Sequence, residues 1–149
     1  MNKVNTAIVL SLFLGGAVAT NAQTATPTID QVPPDASRLL EALPEIKNAV
    51  LAATQYESGS VEVSATSLVI VVTLVNSGQA LGSNADRENE ARLIATAIAS
   101  VGANRKEFKG ILVLHIDYMT REPDGSHSRM IDKFDFRKDP AGSFQHHIS

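Results

Sequence analysis

The side chains that could do chemistry in this chain are few, and most sit in its last third. His115 and Asp117 lie two residues apart, His127, Asp132 and Asp135 follow on the next hydrophobic run, and His146 and His147 stand near the end. Imidazole and carboxylate together suit Zn²⁺ or another divalent ion. None of the spacings, however, is HExxH or another metal-binding pattern of known separation. His127 sits beside a turn and His146-His147 near the terminus, positions where histidines are commonly just solvated, and His115 reads as a cross-strand contact with Lys133 or a hydrogen bond to a neighbour. Nucleophilic catalysis has no better footing, because the serines occur in neither GxSxG nor SxxK. Gly78, Gly82 and Gly102 are scattered, so there is no phosphate-cradling loop. The chain has no Cys, which excludes thiol catalysis, Cys-ligated zinc and iron–sulfur clusters. These residues point away from an enzyme, and no cofactor is expected. The rival reading is a small metal-binding protein or hydrolase built on His115, Asp117, His127 and the neighbouring acids.

The elements that must position these groups fit in one domain. The chain has 149 residues, of which 44% are hydrophobic, 19% charged and 5% aromatic, with a formal net charge of −3. That is too apolar for a disordered chain and long enough for one packed core. The mild acidity argues against nucleic acid as a partner. Cations collect late in the sequence, and Arg121, Arg129, Lys133, Arg137 and Lys138 could form a basic stripe on the last two strands. A solvated strand face is its plain reading; anionic glycans, lipid headgroups or a partner's acids are the alternative.

The N-terminus carries an address. Lys3 precedes an apolar run from Ala7 to Ala19, and small residues then offer cleavage after Ala19 or after Ala22. A bilayer span needs ~20 apolar residues, and this run is shorter, so residues 1–22 read as a signal peptide. Residues 23–34, rich in Thr and Pro, read as a linker, and 35–149 as the domain. A bacterial periplasmic or secreted location follows, without stable membrane insertion.

Within the domain, Asp35 is placed to cap a helix. Leu39, Leu40 and Leu43 give it a stripe, and Pro44 either starts a second helix reaching about Thr54 or kinks a single one. Val61, Val63 and Ala65 alternate with polar residues, and Leu68–Val75 is an almost wholly apolar run rich in β-branched side chains. These two runs read as a hairpin turning at 65–67. Residues 85–101 bury Ala91, Ile94, Ala95, Ile98 and Val101 on one face, with Ser83 or Asn84 as cap and Gly102 as stop. Ile111–Met119 and Ser126–Arg137 form a second hairpin around Pro123-Asp124-Gly125, and residues 143–149 are left as a tail. The expected fold is α+β, in the order helix-strand-strand-helix-strand-strand. It has a four-stranded, mainly antiparallel sheet with its helices on one face. If the third strand lies beside the second, that pair is parallel.

Strand parity then sorts the faces. Leu112, Leu114, Ile116 and Tyr118, with Met130, Phe134 and Phe136, should meet the helices. Val113, His115, Asp117, Arg129, Ile131, Lys133 and Asp135 should point away, with Val69, Val71, Thr73 and Val75 beside them. Asp132 breaks the pattern, by a bulge or edge position that reaches water, or as a carboxylate that is paired or metal-bound. Two short helices cover one side of such a sheet, and an uncovered valine row marks a contact surface. The expected function is therefore an exported binding domain that uses Val69, Val71, Val75, His115, Asp117, Arg129, Ile131 and Lys133. Its partner is a second copy of itself, forming a homodimer, or an envelope protein to which it is an accessory.

Overall fold

A computed structural model describes residues 34–148, with side chains from residue 37 onward. The expected signal peptide and all but the last residue of the expected linker lie outside the described residues. Helix α1 (Pro34–Thr54) is one continuous helix that contains Pro44. It begins on Pro34, whose missing N–H costs nothing at a first helical position, so Asp35 lies inside the helix instead of capping it. Leu39, Ala42, Ile46 and Val50 recur at helical spacing on its buried face. Pro44 is exposed, so the Leu40 carbonyl that it deprives of a donor faces water. Continuity also sets the phase of the helix, and Leu40, expected in the stripe, is 50% exposed.

Strands β1 (Val61–Ala65) and β2 (Val69–Val75) form the first hairpin. Helix α2 (Asn84–Gly102) follows, with Ser83 and Asp86 capping each other's backbone N–H groups in a reciprocal box. Strands β3 (Val113–Arg121) and β4 (Ser128–Lys138) form the second hairpin. A further strand, β5 (Phe144–His146), pairs with β4 after the Asp139–Gly142 turn. The sheet is therefore five-stranded instead of four-stranded, in the order β1-β2-β3-β4-β5, and mixed, with one parallel pair among antiparallel ones. Strands β2 and β3 run parallel, with α2 as their crossover, and the segment expected as tail supplies the fifth strand.

Both helices pack on one face of the sheet. Ile46, Val50, Ile94 and Ile98 share a core with Ile70, Val72, Leu74, Leu114, Ile116, Tyr118, Phe134 and Phe136. No described helix is long and apolar enough to cross a membrane.

A candidate interaction face on the sheet

The side of the sheet opposite the helices carries the expected site, and the register fixes its layout. One row across the strands runs Glu62, Thr73, Asp117, Lys133, and the next runs Ser64, Val71, His115, Asp135. A third holds Val69, Val113 and Arg137. Val69, Val71, Val113, His115 and Asp117 are half-buried, as side chains of central strands are when only neighbouring strands shelter them. Val75 does not belong to the accessible set, because it is 6% exposed. At its end of the sheet Arg121 of β3 reaches Glu62 of β1 at 2.7 Å, bridging across β2.

The polar centre of the face is a small charged cluster. His115 Nδ1 lies 2.6 Å from Asp135 Oδ1, and Lys133 Nζ lies 3.4 Å from the same oxygen. With Asp135 ionised, both nitrogens are the donors. Burial works against the charge on Asp135, yet its bond to the His115 ring and the nearby Lys133 ammonium hold its carboxyl below the usual range. Asp117 goes the other way. Burial pushes its carboxyl up, and Lys133 and His115 only partly offset that. Its Oδ1 is buried without a hydrogen-bond partner among the described residues, as is the Ser77 hydroxyl. An orphaned carboxylate oxygen in the middle of an open sheet face is costly unless something else donates to it.

Two of the expected face residues are placed differently. Tyr118 pairs with Asp132 but Met119 pairs with Met130, so Ile131 is an extra residue in β4. Such a bulge inverts parity beyond it. Met130 therefore joins Met119 on the open face, 46% exposed, instead of entering the core. Arg129 aligns with Thr120 on the helix side, and Ile131 packs in part against the core. Asp132, opposite Tyr118, is both next to the bulge and paired: Arg87 Nε donates to its Oδ2 at 3.2 Å and Asn84 Nδ2 at 2.6 Å.

The remaining histidines do not join His115. His127 sits at the hairpin turn, its Nδ1 2.9 Å from the Ser126 hydroxyl, and His147 is exposed. His146 is not a solvated tail residue. It packs on Phe134 and Phe136 at centroid distances of 5.7 and 5.3 Å, and its Nδ1 lies 3.0 Å from Glu88. Among the described residues, no three His, Asp or Glu side chains gather to hold a metal ion.

Sequence reasoning missed a second polar cluster, at the edge of the core. Tyr56 and Tyr118 donate to the two oxygens of Glu90, at 2.6 and 2.9 Å. Burial, reinforced by Glu90, pushes the Tyr56 phenol up to about 12 and moves the Tyr118 phenol up further. The signal available was spacing. Arg87 and Glu90 fall with Ala91 on the α2 face that Ile94 buries, so the charges of Arg87 and Glu90 point partly inward and are not wholly solvated.

With helices on one face and a mixed apolar and charged surface on the other, the described residues form a two-layer α+β domain whose second sheet face no other described element covers. No family model matches it, and comparison with curated proteins and with solved structures finds no match.

Proposed function

We propose that this protein is an exported, non-enzymatic binding domain, and that its open sheet face packs against the same face of a second copy. The apolar N-terminal run with its small-residue exits supports export. The observation that carries the pairing is the half-buried apolar patch of Val69, Val71 and Val113 on the side opposite the helices, flanked by the opposed charges of Glu62 and Lys133. Facing sheets pack about 10 Å apart with strands within about 30° of each other. A two-fold axis running along the strands between β2 and β3 lays β1 of one protomer over β4 of the other. In the row Glu62, Thr73, Asp117, Lys133, Thr73 then opposes the partner copy's Asp117 position. Glu62 opposes a lysine, and Val71 packs over the imidazole of the next row. An axis across the strands would instead set Glu62 against Glu62 and Lys133 against Lys133, a like-charge arrangement. The charge layout therefore favours the first axis.

Sedimentation of the purified protein over a range of concentrations tests this. A dimer is expected, and Val71→Lys, which puts a charge in the middle of the face, should reduce it to a monomer without unfolding it. A wild-type particle that stays monomeric at every concentration, or a dimer indifferent to Val71→Lys, overturns the proposal. An envelope protein captured on the same face by the monomer would transfer that face to the alternative partner.

A further inference from the structure

At the end of the sheet where β2 and β3 begin, two loops are locked together. The Thr66 hydroxyl accepts from the Val69 N–H at 3.1 Å, and the Leu68 carbonyl accepts from the N–H groups of Leu112 and Val113 at 2.8 and 3.2 Å. Gly110 comes so close that a Cβ there would lie 3.1 Å from the Ser67 carbonyl oxygen. This fixed double loop presents Leu68 and Leu112 from adjacent backbone positions, 52% and 54% exposed.

Cations frame the two leucines. Lys109 adjoins Gly110, Arg137 pairs with Val113, and the Lys138 N–H donates to the Leu112 carbonyl at 2.9 Å. Lys138 Nζ donates to the Phe108 carbonyl at 2.6 Å. Arg105 and Lys106 stand on the short turn just before. The acids here are already engaged: Arg105 bonds Glu107 at 3.0 Å and also Glu45, and Asp139 accepts from the Ser143 N–H at 2.9 Å inside the β4–β5 turn. Lys106, Lys109, Arg137 and Lys138 have no carboxylate partner among the described residues. A trough of about 1260 Å³, walled by Arg92, Arg105, Lys106, Lys109 and Lys138, continues this cationic surface along α2. All of this occurs in a chain whose net charge is −3, so this end carries a local excess of cations against the overall balance.

We propose that this tip docks on an anionic bilayer surface, with Leu68 and Leu112 entering the headgroup boundary and Lys106, Lys109 and Arg137 meeting lipid phosphates. Paired apolar side chains ringed by basic ones are what an interfacial contact requires, since burial and surface potential then act together. A soluble acidic partner would use the cations but has no need of two leucines held out to solvent.

Flotation of the full chain with vesicles of phosphatidylcholine, alone or with about one third phosphatidylglycerol, tests the proposal. The variants are Lys106→Glu/Lys109→Glu and Leu68→Ser/Leu112→Ser. All keep the apolar N-terminal run, so its own affinity for lipid cancels in the comparison. Binding to the anionic vesicles should exceed binding to neutral ones and fade with salt. Each unit of positive charge lost should weaken it about fivefold, with each Lys→Glu change losing two units, and the leucine pair should matter in anionic vesicles at any salt. Circular dichroism of each variant confirms folding. Vesicle binding indifferent to the lysine changes, equal binding to neutral vesicles, or lysine-dependent binding to a soluble polyanion with no dependence on the leucines, overturns the inference.

Discussion

Glu90 serves both tyrosines of the chain, and this has a consequence at high pH that can be read without labels. Each phenol donates to one carboxylate oxygen, and Tyr118 gives a second contact to the Arg87 carbonyl at 3.0 Å. Deprotonating either ring would place two negative groups together in a half-buried site, so the folded chain keeps both protons past the ordinary phenol value near 10. The unfolded chain releases them near that value. Between about 10 and about 12, the Tyr56 value, the folded state thus binds more protons than the unfolded one, and stability falls as pH rises through that window. Below it the tyrosines contribute no slope. Tyrosinate absorbance should accordingly stay low until the protein unfolds in alkali, then appear for both rings at once, with ellipticity lost in the same step. Tyr56→Phe should cost about 1 kcal/mol at neutral pH and flatten the alkaline slope in denaturant titrations. A tyrosine that ionises near 10 in the folded protein would show that Glu90 does not hold it. Glu90 itself was open to detection in the sequence only as a charge out of place on a buried helical face. The Asp135–His115 contact was not legible, because it depends on the register that the extra residue at Ile131 sets within the second hairpin.

The two helices and four longer strands follow from period and punctuation, and Ser83, Gly125 and the 65–67 turn lie where their chemistry places them. What the sequence conceals is relational. Whether β3 joins β1 or β2 is decided by α2 packing, since either choice buries the same side chains; the parallel pair is a property of the crossover. The fifth strand is three residues long and half polar, too short for a period of two to register. The bulge at Ile131 leaves one trace in the sequence, the parity break at Asp132, but its place and its effect on Met130, Arg129 and Ile131 are hidden, because a single extra residue preserves the apolar composition while inverting every face beyond it. Gly102 is a case where the expected residue does a different job. Its place at the end of α2 suggests a stop that needs positive φ, yet the helix goes on to a right-handed Ala103. The glycine is required by proximity instead: a Cβ on it would come within 2.8 Å of the Phe108 ring. Phe108 is 2% exposed and closes the base of the core under α1 and α2. Gly102→Ala, which by helix propensity alone should stabilise by up to about 1 kcal/mol, is therefore expected to destabilise by about 1–3 kcal/mol. Shrinking the ring with Phe108→Leu in the same chain should recover part of that loss. Thermal denaturation of the two single variants and the double variant measures the coupling, and additive effects would remove Phe108 as the reason for the glycine.

At the scale of the whole molecule, the sheet face and the leucine tip constrain each other. A two-fold axis along the strands leaves the strand direction unchanged, so both protomers of a face-to-face dimer point their β2 and β3 starts, and with them Leu68 and Leu112, the same way. An axis across the strands sends the two tips to opposite ends, where one bilayer cannot meet both. The choice of axis can be decided chemically because the chain has no cysteine of its own. Glu62 and Lys133 occupy the outer strands of one row, about 14 Å apart within a protomer at three strand spacings. Across the interface of the favoured dimer they face each other over the ~10 Å that separates packed sheets. A bis-maleimide of about 8 Å reach, shorter than the within-sheet gap, should therefore couple the Glu62→Cys/Lys133→Cys double variant into a covalent dimer. Each single variant should remain uncoupled, because its cysteine lies far from its own copy across the axis. Coupling of the single variants would put like strand over like strand, and with it the carboxylates and ammonium groups that the charge layout keeps apart. The pairing of Glu62 with Lys133 across the interface would then be lost, and the argument for a self-complementary face would go with it.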